Sequence, residues 1–264
     1  RCIAYVAEKR PDVSYAKVCR IMGRSRTSKY YKKRMPQKDE ELKEAITSVL
    51  GTSRLGRKKV IVKVRKKYPQ FGVSQIRRIY QKCGFSLYKR MKRKRLDNPA
   101  NPIQVPLEKN EEWAMDFMSD SLARGGRFRT LNLVDQYNRG CLGIDIRTSM
   151  PSRAVIQFLE RMIEKHSKTK GIRTDNGPEF TSHLFQDWLD KNGIAWVKIQ
   201  KGKPQQNAII ERFNKTYRED VLDAYLFFSL QEAKDLTEVW IRDYNNERPH
   251  EALNFKTPAE YEAA

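Results

Sequence analysis

From Trp113 onward the hydrophobic period switches between two and 3.6 residues in the order β-β-β-α-β-α-β-α,. That order excludes an all-helical bundle and an all-strand sandwich. It predicts a three-layer α/β arrangement, with helices on both faces of one sheet. The strand-like segments are Trp113–Asp120, Arg127–Asn138, Cys141–Ser149, Gly171–Asp175 and Ala195–Gln200. Short Gly- or Asn-bearing turns join the first three, as in an antiparallel meander. Helical patterns cover Ser152–Ser167, Ser182–Gly193, Asn207–Ala224 and Leu230–Asn245, with Ser152 and Ser182 as expected N-caps,.

Upstream the character changes. Residues 1–100 hold 30 of the 53 Lys and Arg but only 7 of the 32 Asp and Glu, so the whole formal charge of +21 resides there. A basic block beside a near-neutral one predicts a polyanion-binding part and a separately built core. Val13–Gly23 reads as a helix with Ser14 as N-cap, followed by the basic stretch Arg24–Arg34, a helix-turn-helix candidate,. Leu42, Ile46, Val49 and Leu50 form the stripe of a further helix,. Gly56–Pro69 reads as a basic helix, although its β-branched run also suits a strand. Val73–Gly84 reads as a third helix, capped by Ser74, whose Gln75, Arg77, Arg78 and Gln81 suit a groove-reading face,. Lys89, Arg90, Lys92, Arg93, Lys94 and Arg95 run on without periodicity and suit phosphate contacts,. Three prolines in Asp97–Pro106 mark a linker,. The expected organisation is a helix-turn-helix-like segment at 1–35, a basic helical domain at 36–96, a linker at 97–108 and an α/β domain at 109–264.

Three acids stand out in that last part. Asp116 lies inside the first strand, Asp175 ends the fourth, and Glu211 lies in a helix 35 intervening residues further on. Strand ends are where α/β folds build sites. Carboxylates alone suffice to hold Mg²⁺, which prefers oxygen ligands and keeps several waters. Two such ions, Mg²⁺ or Mn²⁺, about 4 Å apart would activate an attacking oxygen and stabilise a leaving one in phosphodiester transfer. Asn207, Glu211, Lys215 and Arg218 are spaced to share one helical face, which would offer DNA an amide and two cations,. Asn176, Gly177 and Pro178 shape the turn that aims Asp175, with Gly177 free to adopt a positive φ,.

The motifs W-x-x-D (Trp113–Asp116), TDNGPEF (Thr174–Phe180), NAxxERF (Asn207–Phe213) and YNNERPHEAL (Tyr244–Leu253), with a basic residue, Arg218, seven after Glu211, resemble those of bacterial insertion-sequence transposases of insertion sequence family three. The resemblance covers nearly the whole chain. It implies an RNase H-like catalytic core similar to retroviral integrases: a mixed five-stranded sheet flanked by helices, preceded by all-α DNA-binding segments. It further implies an Asp116-Asp175-Glu211 triad, recognition of an element's terminal inverted repeats, and strand cleavage and transfer by a 3′-hydroxyl. A homodimer or larger synaptic assembly on double-stranded DNA follows from the same resemblance. Full-length members usually carry a further helix-turn-helix and a leucine zipper upstream. This chain begins at Arg1 and shows no zipper.

Two other readings share parts of this pattern, an RNase H-fold nuclease and a DNA-binding regulator without catalysis. Asp120, Asp135 and Asp145 are expected to be structural, and His183 to neighbour a helix cap. Arg248 and His250 divide between DNA contact and packing. Cys2, Cys19, Cys83 and Cys141 lack metal spacing, which argues against a zinc site and for reduced thiols,. No run of about 18 apolar residues and no secretory signal are visible, so a cytoplasmic, nucleoid-associated protein that engages no membrane is expected.

Overall fold

The computed structural model describes residues 9, 13–21, 23, 25, 35–51, 53–87, 106–199 and 204–264. The basic runs at 26–34 and 88–95, with Lys89, Arg90, Lys92, Arg93, Lys94 and Arg95, lie outside the described residues, as does most of the expected linker. The chain divides into two compact units, residues 1–44 and 45–264. The first holds α1 (Tyr15–Ile21), which buries Val18 and Cys19, and the first part of α2 (Met35–Leu50). Ser14 accepts from the Lys17 N–H at the start of α1, as its sequence position suggested.

The second unit takes in the rest of α2 and then two helices, α3 (Arg57–Lys67) and α4 (Val73–Lys82). The β-branched run of α3 is helical because Val60 and Val64, four apart, both reach zero exposure,. Helix α4 starts at Val73, with Gly72 rather than Ser74 as its N-cap. The Gly72 N–H donates to Gln75 Oε1, so that side chain closes its own helix end,. Basic α3 is tied to the C-terminal segment by Lys58–Glu251 (2.5 Å), Lys63–Asp243 (3.5 Å) and Lys66–Glu260 (2.6 Å).

The centre is a five-stranded sheet in the order β3-β2-β1-β4-β5. Its strands are β1 (Glu112–Ser121), β2 (Arg127–Asp135), β3 (Cys141–Arg147), β4 (Gly171–Thr174) and β5 (Ala195–Lys198). The first three form the expected antiparallel meander, and β4 and β5 join parallel to β1. Alternation along β1 sends Trp113 and Met115 to one face and Ala114 and Met118 to the other,. On the first face α5 (Ser152–His166) and α7 (His183–Asn192) bury Val155, Leu159, Phe185 and Leu189. On the second, α8 (Ala208–Tyr217) and α9 (Leu230–Asn246) bury Phe213, Tyr217, Trp240 and Tyr244. Ser182 caps α7 by accepting from the Phe185 N–H, and Gly193 ends it at φ +57°,. Helix α5 begins at Ser152 itself, with Pro151 as cap, and the Ser152 hydroxyl donates instead to the Glu179 carbonyl.

Two departures from sequence expectation bear on the site. Gly177 has φ −60°, so its role is not a left-handed turn. It precedes a one-turn helix, α6 (Pro178–Thr181), which the sequence pattern did not announce. The single helix expected over 207–224 is α-helical only to Tyr217 and then widens into a π-helical turn, Arg218–Leu222. Within that turn Asp220 is buried against Arg248 and Trp240.

Candidate active site

Asp116 sits in mid-β1, on the face that α8 covers, and is cross-strand partner to Asn132 on β2. Its Oδ1 accepts the Phe117 N–H (2.8 Å) and its Oδ2 accepts Asn214 Nδ2 (2.8 Å). Asn214 Oδ1 in turn accepts Asn132 Nδ2 (2.7 Å), so a buried amide relay fixes the carboxyl,. Asn214 lies three residues after Glu211, hence on the same side of α8, and the bond to Asp116 turns that side toward β1,. Sequence reasoning missed Asn132 and Asn214; the one available signal was the i, i+3 spacing from Glu211.

Asp175 follows the last residue of β4. Its Oδ1 accepts the Gly177 N–H (3.0 Å), a local Asx turn that leaves Oδ2 open,. The turn is anchored on both sides. Asn176 Nδ2 donates to the Ile199 carbonyl (3.2 Å), and Trp196 Nε1 donates to Thr174 Oγ1 (3.0 Å). Glu179, on α6, pairs with Arg129 of β2, whose guanidinium lies 4.1 Å from the centroid of the Phe117 ring. This clamp, also unforeseen, fastens the segment after Asp175 to the strand that carries Asp116.

Glu211 lies in the first turn of α8, where the helix dipole favours a carboxylate, and is exposed without a hydrogen bond or ion pair among the described residues,. Asp175 and Glu211 both act on Asp116. Burial raises the Asp116 pKa to about 6, and the charges of Asp175 and Glu211 push it the same way against the Phe117 N–H and Asn214,. Among the described residues no three His, Cys, Asp or Glu side chains converge closely enough to cage an ion by themselves. The donor set nevertheless suits a hard divalent cation, being all carboxylate with open oxygens on Asp175 and Glu211.

The expected DNA-facing residues fare differently. Gln75, Arg77, Arg78 and Gln81 are all exposed on α4. Lys215 is exposed, 3.7 Å from Glu219. Arg218 donates to the Ser119 carbonyl (2.9 Å) and lies 3.7 Å from Asp120 and 3.6 Å from Asp223. Asn207 does not present its amide outward. It belongs to the 3₁₀ turn Pro204–Asn207 ahead of α8, so the four-residue helical spacing does not extend to it, and it is buried. Asp135 and Asp145 are structural, the first accepting the Asn110 and Tyr137 N–H groups, the second pairing with Arg147. Cys19, Cys83 and Cys141 are free thiols. No described helix is long and apolar enough to cross a membrane.

The comparisons agree with this architecture. Two patterns, both described as Integrase core domain, match residues 106–204 and 192–258. The chain is 31% identical over 253 residues to the 31.7 kDa protein of insertion element IS407 of Burkholderia multivorans, covering 96% of this chain and 91% of the relative. It is 27% identical over 168 residues to the transposase of insertion sequence element IS904 of Lactococcus lactis, covering 62% and 66%. Its fold is similar to a chain of the simian T-cell lymphotropic virus intasome in complex with PP2A regulatory subunit B56 gamma. That match has a TM-score of 0.52 at 16% identity and covers 83% of this chain and 74% of the other. By its sheet, its helices and its near full-length kinship, the chain belongs to the bacterial insertion-sequence transposases with a retroviral-integrase-like core of the RNase H type.

Proposed function

We propose that Asp116, Asp175 and Glu211 form the catalytic triad of a DNA strand-transfer enzyme that binds an element's terminal inverted repeats, cleaves them and joins them to target DNA. The observation that carries this reading is electrostatic. Burial raises the Asp116 carboxyl on β1, and two further acids, Asp175 at the end of β4 and Glu211 on α8, act on it in the same direction. Repulsive clusters of this kind persist where a cation is to be received. Asp116, fixed by the Asn214–Asn132 relay, would hold the metal from the sheet side, with Asp175 and Glu211 completing the set. When bound, Mg²⁺ or Mn²⁺, as two ions, would supply an activated oxygen nucleophile and charge neutralisation at the phosphate. The protein's own share is positioning. The Asx turn aims Asp175, the Arg129–Glu179 clamp holds that turn, and exposed α4 and Lys215 offer groups to a duplex. Arg218 is placed to brace α8 against β1 through the Ser119 carbonyl. Kinship with insertion-element proteins supports double-stranded DNA as substrate and a dimer or larger synaptic assembly as the working form.

The test is a labelled duplex carrying the terminal repeat that flanks the coding sequence, incubated with Mg²⁺, with Mn²⁺ or with EDTA. Metal-dependent cleaved and joined products are the expected result. Cleavage without joining would make the protein a nuclease, and tight binding with neither product a regulator.

A further inference from the structure

A second charged site lies on the neighbouring flank of α8. Lys59 from α3, Arg139 from the β2–β3 turn, Arg212 from α8, and Arg248 and His250 from the segment after α9 line one small cavity of about 50 Å³. These residues come from four separate stretches of the chain, so the cluster is a product of the fold and not a local charge run. Arg139 reaches it from a left-handed backbone conformation, φ +58°, which a non-glycine residue holds at some cost,.

The cluster is not neutralised from within. Arg248 is paired with buried Asp220. Lys59, Arg139 and Arg212 make no ion pair among the described residues, and the nearby Glu251 is exposed and engaged by Lys58. The imidazole of His250 packs edge-on against Tyr244, and its Nε2 is buried without a hydrogen-bond partner. The excess positive charge registers on its members. Burial, with Arg248 and Arg212 beside it, lowers the Lys59 pKa to about 8. Burial, with Lys59, Arg248 and Arg139 beside it, lowers that of His250 to about 3. Like charges gathered with only Asp220 to offset them weaken a fold, and an oxyanion in their midst would offset their repulsion,. The space holds roughly three or four waters, about the bulk of a phosphate group.

We propose that this cavity is a phosphate-oxyanion site, gripped by Lys59, Arg139 and Arg212 and floored by Arg248 and His250, and that its occupant is a backbone phosphodiester of the bound DNA. This deepens the strand-transfer reading and rests on it for the choice of occupant. Arg212 adjoins Glu211, so a phosphate held here would fix the duplex one residue from the proposed triad. Arginine and lysine donate to phosphate oxygens with the required charge and geometry.

Two metal-free measurements test it, and neither depends on catalysis. In the first, inorganic phosphate is titrated against thermal melting at constant ionic strength. The wild type should gain several degrees, and Lys59→Met and Arg212→Gln should gain less than half as much. In the second, affinity for a 30-base-pair duplex of arbitrary sequence is followed against KCl in EDTA. The slope of log K against log [KCl] should become shallower by about 0.9 in either variant, one phosphate contact fewer. Without phosphate, Lys59→Met should melt no lower than the wild type, since it removes one cation from among cations. Arg212→Gln, at an exposed position, decides the matter if that melt falls. A lost phosphate response with an unchanged DNA slope would assign the site to the free anion. Unchanged responses in both measurements would overturn the proposal. Failure of strand joining alongside a positive phosphate result would overturn the catalytic reading and leave this site standing.

Discussion

Asp116→Asn should abolish metal-dependent strand cleavage, by about a thousandfold or more, and at the same time make the metal-free protein more stable. The substitution keeps the shape of the side chain and removes a charge that burial, Asp175 and Glu211 all oppose, while the Asn214 and Asn132 amides turn over so that Asn214 Oδ1 accepts the new N–H₂. The folded-state pKa is about 6 and the unfolded one near 4,. Between those values the native state binds a proton that the unfolded chain does not. Stability of the wild type therefore rises as pH falls from about 6 toward 4, and the ionised carboxyl costs stability above 6. In EDTA the gap between variant and wild type should be widest at pH 7.5, on the order of 1–2 kcal/mol, and should narrow to about a third of that by pH 4.5. Thermal melts at the two pH values measure it. With millimolar Mg²⁺ the order should reverse at pH 7.5, because only the wild type gains from the ion. A variant that is less stable than wild type in EDTA at pH 7.5 would mean that Asp116 is held by its hydrogen bonds as a structural anion, and the triad would lose its central member.

Most of the sheet could be read from the chain because its signals are local. The alternation Trp113, Met115 against Ala114, Met118 sets the faces of β1, and the Gly-stopped, Ser-capped segment 182–193 announces α7. The positions of Asp175, just after a strand, and of Glu211, near a helix start, were legible for the same reason. What was not legible depends on partners distant in sequence. Asn132 and Asn214 become a relay only once β2 and α8 meet across 82 residues, and Glu179 becomes a clamp only when Arg129 arrives from 50 residues away. Helical spacing misplaced Asn207 because the backbone tightens to 3₁₀ there. Asp220 was hidden for the same reason as the relay, since its partners Trp240 and Arg248 come from 20 and 28 residues further along the chain.

Asp220→Ala should be the most destabilising single change of a polar residue in the second unit. Asp220 Oδ2 takes the Arg248 guanidinium and the Trp240 indole N–H (3.3 Å), while Oδ1 accepts the backbone N–H of Arg54 (3.2 Å). The side chains of Asp220 and Arg248 are only 2% and 7% exposed. Removing one member of such a pair strands the other charge in a dry site, at a cost of about 3–5 kcal/mol. Chemical denaturation should show that loss as a lower midpoint with an unchanged slope. The double variant Asp220→Asn/Arg248→Met should recover much of it, since it removes both charges together. The cost extends to the helical segment, because the Arg54 bond fastens the chain just ahead of α3 to the π-helical turn of the core. It also extends to the cationic cavity. Without Asp220 the wall formed by Arg248 loses its counter-charge, and Lys59 loses one of the two acids that sustain its proton. Inorganic phosphate should therefore restore more stability to Asp220→Ala than it adds to the wild type. An equal gain in both would mean that Arg248 turns outward when released, and that the pair acts as a packing element independent of the cavity beside it.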